Sequence, residues 1–311
     1  MAIVEEVPNY IQVFSDGSVK RFGPPTVAPS LESNNGYRSK DVFIDKSRGV
    51  TARIFLPDDA MVSSDLLPVL VYFHGGGFCI GSTTWIGYHH FLGDLSVASK
   101  CVVVSVDYRL APENRLPIAY EDCFSSLAWL TDQVEKELFL KQADLSRVFL
   151  SGDSAGGNIT HNVALRAMEF GVENVRIGGL MLIHPYFGTE KRTELEMSDG
   201  ANTDVEMNDL FWRLSLPEGS NRNHFGCNFE TAEVSAAMWN KFPPVVVYVA
   251  GLDFLKERGV LYYEFLKKRG VKVMLVEAKE ESHVYHVFHP ESEATRLLQC
   301  QMREFMNHNC Y

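Results

Sequence analysis

The chain has 311 residues, of which 46% are hydrophobic, 12% aromatic and 22% charged, a composition that excludes disordered, coiled-coil and collagen-like chains. Forty acidic residues against 29 basic ones give a net charge of −11, and the longest basic run, Lys267-Lys268-Arg269, lies close to Glu264, which argues against nucleic-acid or anionic-membrane partners. A chain of this length buries about 75% of its extended surface, enough for an enclosed reaction site without disulfides or metals, in one large domain or two average ones.

Met1 to Pro8 has neither the basic start nor the apolar stretch of a signal peptide, and no run approaches the length of a membrane span. The expectation is a soluble cytoplasmic chain, with the nucleus as a second compartment. Residues 1 to about 38 contain Pro8, the turn Ser15-Asp16-Gly17-Ser18 and Gly23-Pro24-Pro25, and read as an extension outside the core. Asp41 to Ile44 and Ala52 to Leu56, joined by the turn-like Asp45 to Gly49, predict an antiparallel hairpin at a sheet edge.

Six nearly continuous apolar runs follow: Val69 to Phe73, Cys101 to Val106, Val148 to Leu150, Leu180 to Ile183, Val245 to Ala250 and Val271 to Val276. Strands covered on both faces read this way. Tyr120 to Val134, Asn158 to Phe170, Val260 to Lys268 and Glu293 to Met306 show helical spacing. The alternation predicts an α/β fold with a parallel sheet. Tyr186 to Pro244 is too long for a simple connection and carries Phe211, Trp212, Phe225 and Trp239, as a lid would. The six cysteines (Cys79, Cys101, Cys123, Cys227, Cys300 and Cys310) lie far apart without zinc-site spacing, so reduced thiols are expected. Asn158-Ile159-Thr160 matches a glycosylation triplet but falls within a helix expected to be buried.

Two motifs carry chemistry. Gly152-Asp153-Ser154-Ala155-Gly156 stands between an apolar strand and a helical run, the setting in which a strained turn exposes a nucleophilic Ser hydroxyl. His74-Gly75-Gly76-Gly77-Phe78 ends another strand. Its backbone N–H groups can face a developing oxyanion, with Gly75, Gly76 and Ala155 as the expected donors. No Gly-Lys-Ser/Thr ending or dinucleotide spacing supports a phosphate loop instead.

At these motifs the chain resembles the hormone-sensitive-lipase-like branch of the α/β-hydrolases. Asp107 to Glu113 and Pro117 to Asp122 are similar to another stretch of that branch, while Val13 to Val19 and Trp212 to Gly219 resemble its plant carboxylesterases. The resemblance covers nearly the whole chain. It implies one α/β-hydrolase domain over residues 1–311, with an eight-stranded, mostly parallel sheet flanked by helices and a helical cap drawn from about 1–38 and about 186–244.

A serine hydrolase of this fold needs an acid and a base in the order Ser, Asp, His. Asp253 follows the run Val245 to Ala250, and His283 follows Val271 to Val276; both match the family's positions. His283, His286 and His289 recur at intervals of three, but no carboxylate or Cys at helical spacing completes a metal site. The family pattern of His, any residue, then an aromatic selects His283-Val284-Tyr285, with Ser282 and Tyr285 standing where Gly and Phe are usual. Gly77, Phe78, Asp153, His184, Trp212 and Tyr285 are the expected substrate-binding residues. Asp107, Arg109, Glu113 and Asp122 read as structural pairs. The expectation is a serine carboxylesterase acting on small to medium esters without a cofactor, as a monomer or homodimer. A lyase, cyclase or dehydratase, and a hormone-binding receptor of the same fold, are the alternatives.

Overall fold

The computed structural model describes residues 1–61, 65–198 and 200–309, so Cys310 lies outside the described residues. A small antiparallel sheet comes first, formed by β1 (Ile3–Val7), β2 (Ile11–Phe14) and β3 (Val19–Arg21). The turn Ser15 to Ser18 joins β2 to β3, with Gly17 at φ +83°, where a residue without a side chain is at ease. The elements that follow are β4 (Tyr37–Asp45), β5 (Val50–Pro57), β6 (Leu67–Phe73), α1 (Ile86–Ser99), β7 (Val102–Asp107), α2 (Ile118–Gln133), β8 (Ala143–Asp153), α3 (Ala155–Phe170) and β9 (Ile177–Ile183). The remainder comprises α4 (Asn202–Ser215), the short α5 (Ala236–Trp239), β10 (Val245–Ala250), α6 (Lys256–Lys268), β11 (Val273–Ala278), the short α7 (Tyr285–Phe288) and α8 (Glu293–His308).

The main sheet has eight strands in the order β11-β10-β9-β8-β6-β7-β5-β4. Its six parallel strands are the six apolar runs, and β4 and β5 form the expected antiparallel hairpin at one edge. Successive residues of a strand face opposite sides. Val69, Val71 and Phe73 of β6 therefore join the core under α2, α3 and α6, whereas Leu70 and Tyr72 join the core under α1 and α8.

Between β6 and β8 the connections diverge: α1 leads from β6 to β7 on one side, and α2 carries the chain back past β6 to β8 on the other. Open α/β sheets place ligands at the carboxyl ends of the strands beside such a switch point. Phe73 pairs with Gly152, so the His74–Phe78 loop and the turn at Ser154 emerge side by side.

Helix α1 and strands β1 to β3 were not expected from the sequence. Nine of the 14 residues of α1 are buried, so its circumference shows no single apolar stripe. It packs closely because Gly93 lies against the Tyr37 ring, where a Cβ would collide. The N-terminal sheet is tied down by polar contacts: Arg21 donates to the carbonyls of Cys79 (2.6 Å) and Ala111 (2.8 Å) and pairs with Glu113, while Glu5 pairs with Arg213 of α4 at 2.8 Å.

Arg109 and Asp122 pair as expected, with Nη2 and Nε reaching the carboxylate at 2.7 and 2.9 Å and the Arg109 backbone N–H at 3.1 Å. Glu113 finds its cation in the N-terminal sheet instead. The Asn158 carboxamide is fully buried, bonded to Tyr120 and to the carbonyls of Tyr186 and Gly226, which removes it from any glycosylating enzyme in the folded chain. Because the Asp122 side chain is wholly buried and holds three N–H donors, Asp122→Ala should cost about 1–3 kcal/mol. A urea unfolding midpoint unchanged by that substitution would contradict the pairing.

Candidate active site

Four segments converge at the carboxyl ends of β6, β8, β10 and β11. Ser154 sits between β8 and α3 with φ +51° and ψ −117°, a conformation unusual for a residue with a side chain. Its N–H donates to the Ile183 carbonyl (2.8 Å) and its own carbonyl accepts from Tyr186 N–H (2.9 Å). Gly152 and Gly156 allow the turn to press against the Phe73 carbonyl, where a Cβ on either would collide.

His283 Nε2 lies 3.0 Å from Ser154 Oγ, and His283 Nδ1 lies 2.7 Å from Asp253 Oδ2. Asp253 Oδ1 also accepts the Leu255 N–H at 2.9 Å. Burial by itself would raise the Asp253 pKa, but the facing His283 and its hydrogen bond outweigh this and hold the carboxyl below its usual value. For His283, burial pulls the pKa down, while Asp253, by charge and hydrogen bond, lifts it above the usual 6.5.

His184 stands behind this chain: its Nδ1 accepts the Val284 N–H at 2.9 Å and its ring centre lies 5.8 Å from that of His283. His184, Asp253 and His283 bring ligand-type atoms within 4.8 Å of one another. A cation there would have to break the 2.7 Å bond between His283 and Asp253. His286 lies deeper, fully buried against Phe91, with Nε2 3.3 Å from Tyr72 Oη. It does not reach Ser154, and His289 lies past it at the end of α7.

The buried carboxylate of Asp153 accepts from Tyr72 Oη (2.8 Å), Tyr88 Oη (2.9 Å) and Gly75 N–H (3.1 Å). Burial raises its pKa despite the two tyrosine hydrogen bonds. Gly75 N–H also lies 2.8 Å from Tyr88 Oη. This corrects one expectation: Gly75 N–H points into the Asp153 network and is not available to an oxyanion. The N–H groups of Gly76, Gly77 and Ala155 have no acceptor among the described hydrogen bonds, and Gly76 and Gly77 line the cavity beside Ser154.

That cavity holds about 360 Å³ and opens onto Ser154 and His283. Ile80, Trp85, Met207, Phe211, Phe254 and Val287 give it apolar walls, and Tyr10 reaches it from the turn between β1 and β2. Four expected binding residues lie outside its lining. Phe78 is buried against Tyr120, Tyr186 and Trp212; Trp212 stacks on Tyr186 with ring centres 4.2 Å apart; His184 backs His283; and Tyr285 packs on His184. Phe211, not Trp212, faces the cavity, a difference of one residue on α4. Gly77 and Asp153 do line it. Sequence reading missed Tyr10, Trp85, Tyr88, Met207 and Asn208, which sit in segments without a chemical motif.

A family model described as alpha/beta hydrolase fold matches residues 70–287. The chain is 39% identical to the probable carboxylesterase 6 of Arabidopsis thaliana, over 98% of this chain and 92% of that one. It is also 39% identical to the chloroplastic tuliposide A-converting enzyme 1 of Tulipa gesneriana, over 92% of this chain and 73% of that one. Among solved structures, the Pyrobaculum calidifontis esterase matches with a TM-score of 0.74 at 29% identity, covering 87% and 85% of the two chains. A thermostable carboxylesterase cloned from a metagenomic library matches with a TM-score of 0.75 at 28% identity, covering 92% of each. The chain belongs to the α/β-hydrolase fold family. Within that class it is an enzyme that hydrolyses ester bonds.

Among the described residues, the Tyr88 hydroxyl is the one group hydrogen-bonded to both Gly75 N–H and the second oxygen of Asp153. Tyr88→Phe should therefore lower stability by about 1–2 kcal/mol in urea unfolding; an unchanged midpoint would mean that these buried groups are satisfied without it.

Proposed function

We propose that this carboxylesterase works by acyl transfer through Ser154, with His283 as base, Asp253 as its orienting carboxylate and the N–H groups of Gly76, Gly77 and Ala155 as oxyanion donors. The observation that carries this reading is the unbroken chain from Asp253 through His283 to Ser154, at 2.7 and 3.0 Å. His283 takes the hydroxyl proton as Ser154 Oγ attacks the ester carbonyl, and the carbonyl oxygen becomes an anion facing the three N–H groups. Collapse releases the alcohol, protonated by His283. A water, deprotonated by the same imidazole, then releases the acid and frees Ser154. Asp253 stays ionised and stabilises the imidazolium, which accords with its lowered pKa.

The same chain of bonds weighs against the receptor alternative, since a binding protein has no need of an aligned base. The cavity is near the low end of the roughly 300–1,000 Å³ usual for ligand sites, which supports small to medium esters. The N-terminal sheet and the segment 186–244, joined by Glu5 and Arg213, supply Tyr10 and α4 to the cavity and are read as the cap of a single domain. All the proposed catalytic groups come from one chain, so a monomer suffices and a homodimer is equally compatible. No helix among the described residues is long and apolar enough to cross a membrane. We place the enzyme in the cytoplasm, although several relatives are named chloroplastic or amyloplastic.

Ser154→Ala should lower kcat towards a p-nitrophenyl short-chain ester by about 10⁴-fold or more and abolish labelling by a fluorophosphonate; retained turnover would refute the assignment. The base acts only when neutral. Because the His283 pKa is raised, its neutral fraction falls as pH drops through a value above 6.5, and kcat/KM should fall with it. Asp253→Asn removes the charge that raises this pKa, so the acid limb should move to lower pH while turnover drops. An acid limb that stays in place would show that Asp253 does not set the base's pKa.

A further inference from the structure

Helix α4 turns one face to the cavity: Asp204, Met207, Asn208 and Phe211 all line it. These positions are neighbours on a helix surface. Met207 and Phe211 extend the apolar wall, but Asn208 does not. It is only 3% exposed, and its backbone carbonyl accepts Tyr186 Oη at 2.9 Å. Its carboxamide makes no hydrogen bond among the described residues, and its Oδ1 is buried with no partner. Buried side-chain amides are nearly always paired, and an unpaired one destabilises the fold.

One turn earlier stands Asp204, whose carboxylate has no ion pair or hydrogen bond among the described residues and lies close enough to act on His283 electrostatically. Tyr88, which also lines the cavity, is different, because its hydroxyl is already engaged by Asp153 and Gly75. The α4 wall thus presents a carboxylate that only accepts and a carboxamide that both accepts and donates. An alkyl group placed there would leave the buried Asn208 Oδ1 unmet, whereas the exposed Asp204 is within reach of solvent. An ammonium group would have to shed its water among the apolar walls formed by Ile80, Trp85 and Phe254, a larger cost than a hydroxyl meets. A hydroxyl, which donates and accepts, fits both.

We propose that the cavity selects esters bearing a free hydroxyl on the portion that lies against α4, and that Asn208 with Asp204 forms the specificity-determining pair. This inference rests on the acyl-transfer reading of the same cavity. It requires no step beyond ester hydrolysis, because the hydroxyl is held and does not react.

Two matched pairs of substrates test it on the full chain, each pair differing by methyl for hydroxyl. On the alcohol side they are 2,3-dihydroxypropyl butyrate and 2-methylbutyl butyrate; on the acyl side, ethyl 3-hydroxybutyrate and ethyl 3-methylbutyrate. In at least one pair the hydroxylated ester should have kcat/KM higher by about 10- to 100-fold. That ratio should fall to near one in Asn208→Leu and fall in part in Asp204→Ala. Thermal unfolding of Asn208→Leu should occur at or above the temperature of the parent, since an unpaired buried amide has been replaced by an apolar group of similar size. A residue with only a structural role would lower that temperature and leave the ratio alone. Should Asn208→Leu fail to fold, Asn208→Ala and Asp204→Ala carry the same ratio measurement. A ratio at or below one in both pairs, or a preference that survives the Asn208 substitutions, overturns this inference alone. Hydrolysis of these esters by Ser154→Ala would overturn the acyl-transfer reading, and this inference with it.

Discussion

The backbone of Ser154 is the constraint on which the rest of the structure depends. A φ of +51° with ψ near −117° costs about 1–3 kcal/mol for a residue with a side chain, and it persists because its surroundings leave no alternative. Ser154 is held on one side by the Ile183 carbonyl and on the other by Tyr186 N–H. Gly152 and Gly156 meanwhile bring the turn against the Phe73 carbonyl, closer than any side chain would allow. The same contact fixes the end of β6, and with it the start of the His74–Phe78 loop. Ser154 and the His74–Phe78 loop, the proposed nucleophile and oxyanion donors, are therefore aligned by one close approach of backbone to backbone.

Around that turn two buried carboxylates have their pKa values moved in opposite directions by different partners. For Asp153, burial outweighs the hydrogen bonds from two tyrosine hydroxyls and the charges of His74 and His283, and its pKa is raised. Asp253 faces an imidazole that can become a cation, and its pKa is lowered. The buried histidines divide similarly. Burial pushes His184 down to about 3 and His286 well below its usual value, so both stay neutral. His283, beside Asp253, is the one of these three whose pKa is raised. The imidazole whose pKa is raised is thus the one that touches Ser154, as the proposed role of base requires.

The walls of the cavity follow a different logic. Part of them comes from α4, held by the buried stack of Trp212 on Tyr186 and by the pair of Arg213 with Glu5, and Tyr10 is added from an N-terminal sheet that Arg21 ties to the carbonyls of Cys79 and Ala111. Exposed ion pairs contribute little energy individually, so the buried residues of these segments, Val7, Ile11 and Trp212 among them, supply most of what holds them to the core. The proposed catalytic groups stand at strand ends of the main sheet, while α4 and Tyr10 reach the cavity from outside that sheet.

The amino-acid sequence by itself determined the strands of the main sheet and most of the flanking helices, because continuous apolar runs and helical periodicity are local properties of the chain. It also carried the turn at Ser154 and the order Ser154, Asp253, His283, since small residues after a strand and polar residues at strand ends are visible as spacing. It placed the N-terminal segment and residues 186–244 outside the core without resolving them, because their irregular turns carry no period. Three matters were decided only by tertiary structure: that Gly75 N–H turns to Tyr88 and Asp153 while those of Gly76 and Gly77 have no acceptor among the described residues; that Phe211 rather than Trp212 faces the cavity; and that Tyr10 and Asn208 line it. The reason is directional. Spacing fixes where a residue stands along the chain, but the direction of an N–H or the facing of a helix that advances about 100° per residue is set by what packs against it.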